Sequence, residues 1–162
     1  MVVVVVGGIL EIKGKFLLVQ ENKGRWKGTW NIPAGSLEDN ESFIEGAERE
    51  FFEETGYKVK ATGIVDILNR VYDDINIINI LLDMDLIEKN GHYDSLEIAD
   101  VQFFSIDEII KMKDQLRADG FYLHSLQKKL WKEILPLNII QNSRYHKNLL
   151  SSWVIMNDIL NW

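Results

Sequence analysis

Cysteine is absent from the 162 residues, which excludes a disulfide framework, thiolate metal sites and a cysteine nucleophile, and is compatible with a reducing compartment. Histidine is scarce. His92, His124 and His146 show no ligand spacing with one another, so solvent-facing or core roles are favoured over a zinc site. Nor does any stretch approach the uncharged length needed to cross a bilayer, so a soluble, cytoplasmic protein without a membrane partner is expected. The opening valine run, Val2 to Val6, has no basic segment before it and is interrupted by Gly7, Gly8, Glu11 and Lys13, so it reads as a buried strand rather than a signal peptide. Basic surface is in short supply too: the formal net charge of −7 disfavours broad binding to nucleic acid. Linkers, internal repeats and low-complexity segments are not evident.

What remains is an ordinary globular composition, 46% hydrophobic and 27% charged, in a chain whose length fits one domain with a proper core. Residues 2–12 and 16–20 are rich in β-branched and apolar side chains and read as a hairpin turning at Gly14. Residues 21–28 form a loop in which Lys23, Arg25 and Lys27 surround Trp26; they read as a solvated loop or as cations that steer a phosphate, Arg25 being the candidate substrate contact. Residues 58–71 and 75–87 have the composition of two longer strands with a turn at Asp73 and Asp74, residues 88–100 form a polar, mobile loop, and residues 101–104 make a short strand. Ser105 with Glu108 is a capping box ahead of Ile109, Ile110 and Met112. A third helix is expected over 121–135, with Leu123, Leu126, Leu130, Trp131 and Ile134 as its apolar face, broken by Pro136. The tail over 143–162 is too apolar to hang in solvent; packing on its own domain as a helical extension is expected, with a subunit interface as the alternative, so the chain is a monomer or a homodimer. Strands interleaved with helices argue for a mixed sheet between helical layers, an α/β fold.

The chemistry is concentrated between Gly35 and Tyr57. Ser42 and Glu45 form a capping box that starts a helix near Phe43, Ile44, Ala47 and Phe51 give it an apolar stripe, and Gly56 ends it in a left-handed cap. Glu50, Glu53 and Glu54 then stand at i, i+3 and i+4, so three carboxylates emerge on one face near the negative end of the helix dipole. Something cationic must offset them, and a divalent ion that takes oxygen ligands does so; Mg²⁺ suits a few carboxylates plus substrate phosphate, with Mn²⁺ a substitute on ligand grounds.

Gly35, Glu41, Arg49, Glu50, Phe51, Glu53, Glu54, Gly56 and Tyr57, spread over 23 of the 162 residues, resemble the signature of the Nudix hydrolase (MutT-like) family, G-x5-E-x7-R-E-U-x-E-E-x-G-U with U bulky and apolar. Both U positions are aromatic here, where the family usually has Ile, Leu or Val. The resemblance implies an α/β/α sandwich with a mixed β-sheet. It also implies that Glu50, Glu53, Glu54 and the carbonyl of Gly35 hold the metal, that Arg49 orients the glutamates, and that Glu41 supports the loop or meets the ion through water. For the general base the family uses either a signature glutamate, here Glu53, or an acid on a later loop. Glu97 is the best loop candidate, because the stretch from Glu97 to Glu108 is similar to one that recurs after the Nudix loop; Asp94 and Asp100 are its rivals.

The activity implied is metal-dependent cleavage of a pyrophosphate bond in a nucleoside diphosphate linked to another group. The partner would be that small molecule. Tyr72 stands about sixteen residues beyond the signature glycine, where several ADP-ribose-cleaving members have proline and members acting on dinucleoside polyphosphates have tyrosine, so it is a second candidate substrate contact beside a packing role. A non-catalytic Nudix-fold sensor of nucleotide ligands is the alternative, although such proteins usually lose signature acids. Isopentenyl diphosphate isomerase shares the fold but needs a catalytic cysteine, which this chain does not have.

Overall fold

The computed structural model describes residues 1–72 and 74–140. The apolar tail expected over 143–162 lies outside the described residues, as does Asp73 of the expected turn.

Two long strands open the chain, β1 (Val2–Ile12) and β2 (Lys15–Glu21), and pair antiparallel as the expected hairpin. Two short strands follow: β3 (Trp30–Asn31) pairs with β2, and β4 (Ala34–Ser36) pairs with β1. Helix α1 (Phe43–Thr55) leads into β5 (Tyr57–Tyr72), which forms a long antiparallel hairpin with β6 (Ile75–Lys89). Strand β6 also runs parallel to β1, from Val2 beside Asn76 to Leu10 beside Met84. Strand β7 (Ile98–Ser105) pairs with β2 and feeds α2 (Ile106–Lys111); α3 (Leu123–Leu130) and a short strand β8 (Leu135–Pro136) follow, and a single 3-10 turn over Leu137–Ile139 comes last among the described elements. Among the described residues the strands join in the order β3-β2-β1-β6-β5-β8, with β4 on β1 and β7 on β2, so the sheet is mixed.

Side-chain alternation along β1 and β2 explains the layers. Val6, Leu10, Leu17 and Val19 point to one side and pack with Ala47 and Phe51 of α1. Ile9, Phe16 and Leu18 point to the other and pack with Ile109 of α2 and Leu126 of α3. Because both faces are covered, these central strands are buried on each side, which is why their sequences read as nearly continuous apolar runs. The α/β sandwich follows.

Three expectations on element boundaries are corrected. The helix expected over 121–135 ends at Leu130, since Lys132 turns the chain at φ 58 and Leu135–Pro136 extends along β5 opposite Ile64 and Gly63. There Ile134 packs into the second core, while Leu130 and Trp131, assigned to the helix's apolar face, are exposed. The strand expected over 101–104 begins at Ile98, which is buried in the first core. The loop expected over 88–100 is correspondingly shorter and tied down: Gly91 donates to the Gly56 carbonyl at 3.0 Å, and Asn22 holds the far end through its backbone N–H to the Glu97 carbonyl (2.8 Å) and its side-chain amide to the Ser95 carbonyl (2.8 Å).

Candidate active site

Local chemistry sets both ends of α1. The Ser42 hydroxyl accepts from the Glu45 backbone N–H at 3.2 Å and the Glu45 carboxylate accepts from the Ser42 N–H at 2.9 Å, a complete capping box. At the other end Gly56 adopts φ 70, the left-handed cap that a side chain would strain, and its N–H returns to the Phe52 carbonyl at 2.8 Å. With the ends fixed, Gly46, Ala47, Phe51 and Thr55 face the sheet. The acids lie beside that stripe.

Glu50, Glu53 and Glu54 line one cavity of about 220 Å³ together with Asp94 and Glu97. The first three come from α1; the last two come from the turn ahead of β7, where the Asp94 carbonyl accepts from the backbone N–H groups of Glu97 (3.0 Å) and Ile98 (2.9 Å). The Asp94 carboxylate accepts from the Leu96 N–H at 2.8 Å. Glu97 forms an ion pair with Lys23 from the loop after β2. Asp100 is not at the cavity; its carboxylate serves the Val101 N–H and the Gln102 amide.

Arg49 sits behind this wall as its common counter-charge. Its guanidinium donates to Glu41 at 2.7 and 2.9 Å, to Glu50 at 2.8 Å, to Glu53 at 3.2 Å and to the Ser36 carbonyl at 3.2 Å. The bond with Glu41 dominates, holding the Arg49 proton more tightly than usual and the Glu41 carboxyl below the ordinary carboxylate range. Glu50 behaves oppositely. Burial pushes its carboxyl up despite Arg49. Burial also lifts Glu54 well above the ordinary range; the Ala34 N–H, which donates to it at 2.9 Å, and the charge of Arg117 counter this, while Glu21 and Glu50 add to it. Two partly buried acids side by side are thus easier to protonate than ordinary carboxyls, and positive charge brought to them favours their ionised form.

Gly35 is on β4, opposite Val6 of β1. A side chain there would collide with the Glu50 carboxylate, so the glycine is what lets that carboxylate lie against the strand. Arg25 and Tyr72, the candidate substrate contacts, are not among the residues lining the cavity. Arg25 lies over the Trp26 ring at 5.0 Å, and Tyr72 ends β5 with its hydroxyl accepting from Arg70 at 3.4 Å.

Glu21 and Arg117 escaped the sequence reading. They form a short ion pair at 2.5 Å across 96 positions, with the Asn31 amide also donating to Glu21 at 3.3 Å. No local spacing could have signalled it. The pair matters because both charges reach Glu54.

The donor set fits a hard divalent cation in chemistry: the cavity is lined by carboxylates alone, and the two that burial raises call for added positive charge. It is not a closed cage. Among the described residues no three acids are gathered tightly enough to chelate an ion unaided. One oxygen each of Glu50 and Glu53 is engaged by Arg49 and one of Glu54 by Ala34, so an ion here would keep waters or take substrate oxygens.

Residues 1–125 match the family model of the NUDIX domain. A stretch of 53 residues, 33% of this chain, is 47% identical to phosphatase NudJ of Escherichia coli strain K12, of which it covers 34%. The chain thus spans about a third of the length of the curated relatives it matches. Among solved structures, a NUDIX hydrolase from Nitrosomonas europaea superposes with a TM-score of 0.80 at 26% identity, over 88% of this chain and 98% of that one. A MutT protein from Methanosarcina mazei Go1 gives a TM-score of 0.64 at 25% identity, over 82% of this chain and 95% of that one.

Proposed function

This chain belongs to the Nudix family, and from that premise we propose that it is a Mg²⁺-dependent hydrolase cleaving a pyrophosphate bond in a nucleoside diphosphate linked to another moiety. The observation that carries the reading is the gathering of five carboxylates, from two separate elements, around one cavity with Arg49 behind them. A pyrophosphate resists attack because its own negative oxygens repel a nucleophile, and the metal, when bound, supplies the positive charge that offsets them.

The chain's own residues then have separate tasks. Glu50, Glu53, Glu54 and the Gly35 carbonyl would hold the ion, with Mn²⁺ able to replace Mg²⁺. Arg49 fixes the orientation of Glu50 and Glu53 through charge-assisted hydrogen bonds and ties them to Glu41 on the preceding loop. A proton from the attacking water goes to a carboxylate at the cavity, Glu53 or Glu97, both of which line it. Arg25 and Tyr72 would meet the substrate beyond the scissile bond. The described chain contains no helix long and apolar enough to cross a membrane, and the proposed setting is cytoplasmic.

The test is a panel of nucleotide sugars, dinucleotides and nucleoside triphosphates with Mg²⁺ and product identification. Nucleoside monophosphate release that stops on chelation is expected, and Glu53→Gln should abolish it while leaving folding intact, because that side chain is half exposed and keeps its size. Tight binding without turnover across the panel would replace the enzyme reading with a nucleotide sensor.

A further inference from the structure

Among the described residues Arg70 has no carboxylate as counter-charge. On β5 it stands opposite Ile77 of β6, two residues from the pair of Leu68 with Asn79. Its guanidinium lies 3.8 Å from the centre of the Phe121 ring and 5.7 Å from that of Tyr72. Phe121 is itself braced edge-on by Tyr122 at 5.3 Å, and the buried Tyr122 hydroxyl donates to the Trp30 carbonyl at 2.8 Å. The plane of the guanidinium is therefore fixed by the fold.

Its hydrogen bonding is poorly satisfied. Of five donor hydrogens, one reaches the Asn79 side-chain Oδ1 at 3.2 Å and one the Tyr72 hydroxyl at 3.4 Å, both long, and Nε is buried with no partner among the described residues. Lys23, Arg49, Arg117, Lys128 and Lys129 each pair with a carboxylate, whereas Arg70 pairs with none among the described residues. Burial weakens its hold on its proton, which Tyr72 only partly restores. Partly burying a guanidinium that has no anion beside it among the described residues opposes folding. The arrangement is explained if the anion arrives with a ligand.

Arg117 also shows where that ligand would run. Its guanidinium bonds to Glu21, which also accepts from Asn31, and its neighbour Leu116 bridges Trp30, whose carbonyl accepts from Tyr122 beside the Phe121 ring under Arg70, so a run of contacts joins the Arg70 side to the start of the strand-and-loop segment that leads to Ala34 and Glu54. We propose that Arg70, oriented by Phe121, Tyr72 and Asn79, is a phosphate-binding subsite for the portion of the substrate remote from the scissile bond. This rests on the pyrophosphohydrolase reading for the identity of the substrate, though not for the binding itself. Each Nη spends one hydrogen on Tyr72 or Asn79 and keeps one, and a guanidinium can grip a phosphate with two hydrogen bonds. Substrates with a second phosphate beyond the bridging pair are selected over those without one.

The test is metal-free calorimetric titration of the full chain with adenosine 2′,5′-bisphosphate and adenosine 3′,5′-bisphosphate, each against AMP. At least one bisphosphate should bind about ten times more tightly than AMP, as expected for one added charge-assisted pair. In Arg70→Met that ratio should fall to about one, with Arg70→Lys between the two. Thermal unfolding separates this from a packing role: removing an uncompensated charge should leave the melting temperature of Arg70→Met equal to or above that of the wild type. Equal affinities in the wild type, or a preference that survives Arg70→Met, would overturn the proposal, as would a lower melting temperature with binding unchanged. Arg70-dependent binding in a chain that hydrolyses nothing would retire only the hydrolase reading, and hydrolysis with Arg70-independent binding would retire only the subsite.

Discussion

Lys23 and Glu97 are 74 positions apart, yet their side chains meet in an ion pair on the rim of the acidic cavity. The pair joins the loop after β2 to the turn before β7, and the Asn22 bonds to Ser95 and Glu97 reinforce the junction. Both side chains remain about half exposed, 60% and 48%, so their attraction is screened by water. Lys23→Met should therefore leave the melting temperature nearly unchanged. Its effect should fall on the position of Glu97. If Glu97 takes the proton, Glu97→Gln should lower kcat by about 10² to 10⁴ with metal affinity unchanged, and Lys23→Met should lower it several-fold. Steady-state kinetics beside Mn²⁺ titration make the check, and an unaltered rate in Glu97→Gln returns the role to Glu53.

Arg49 is the residue whose loss should be felt in both folding and activity. Its guanidinium donates to the Glu50 carboxylate at 2.8 Å, and Glu50 is mostly buried. Removing the guanidinium leaves that carboxylate without its partner, a change that costs about 3–5 kcal/mol for a fully buried pair. Arg49 keeps about a fifth of its side chain exposed, so Arg49→Met should cost less, about 2 kcal/mol in urea unfolding of the metal-free protein. Arg49→Lys should recover much of the stability and little of the rate, because an ammonium cannot hold Glu41, Glu50 and Glu53 in one plane of donors.

Gly35→Ala separates position from charge. The three atoms nearest the added methyl belong to the Glu50 carboxylate, the far end of a side chain, so the strand can stay in place while Glu50 moves. Unfolding should change by less than about 1 kcal/mol, the scale of a surface substitution plus a small clash. Turnover with Mg²⁺ should nevertheless fall by more than about tenfold, since shifts of about 1 Å at a reacting centre are that costly. A variant with wild-type kcat would show that Glu50 has no fixed place to lose.

How much of this was legible in the chain depended on the range of the interaction. Ser42 with Glu45, and Ser105 with Glu108, marked helix starts because a capping box is completed within four residues, and both form as expected. Glu50, Glu53 and Glu54 were visible as a group because helical spacing alone places them together, and they do line one cavity. The end of α3 was not visible. Leu130, Trp131 and Ile134 keep helical periodicity, but the chain turns at Lys132 so that Leu135 and Pro136 can pair with Ile64 and Gly63, some seventy positions earlier. Glu21 with Arg117 and Lys23 with Glu97 were hidden for the same reason. Nothing near either residue in sequence announces its partner.

The second capping box offers a pH test away from the cavity. The Glu108 carboxylate accepts from the Ser105 N–H at 2.7 Å, and the Ser105 hydroxyl accepts from the Glu108 N–H at 3.3 Å. These bonds hold the Glu108 carboxyl below its ordinary value, the Ser105 backbone N–H being the larger cause. A carboxylate whose folded value is depressed binds its proton more readily in the unfolded chain. Its contribution to stability is therefore fully present above the unfolded value of about 4.3 and disappears as pH falls through the folded value. Glu108→Gln should accordingly melt below the wild type at pH 7, and the gap should narrow when both are melted near pH 3. Because α2 carries none of the cavity residues, turnover at pH 7 and at a temperature well below melting should be the same in both proteins. A melting gap that stays constant between the two pH values would mean that the glutamate stabilises α2 by something other than its charge.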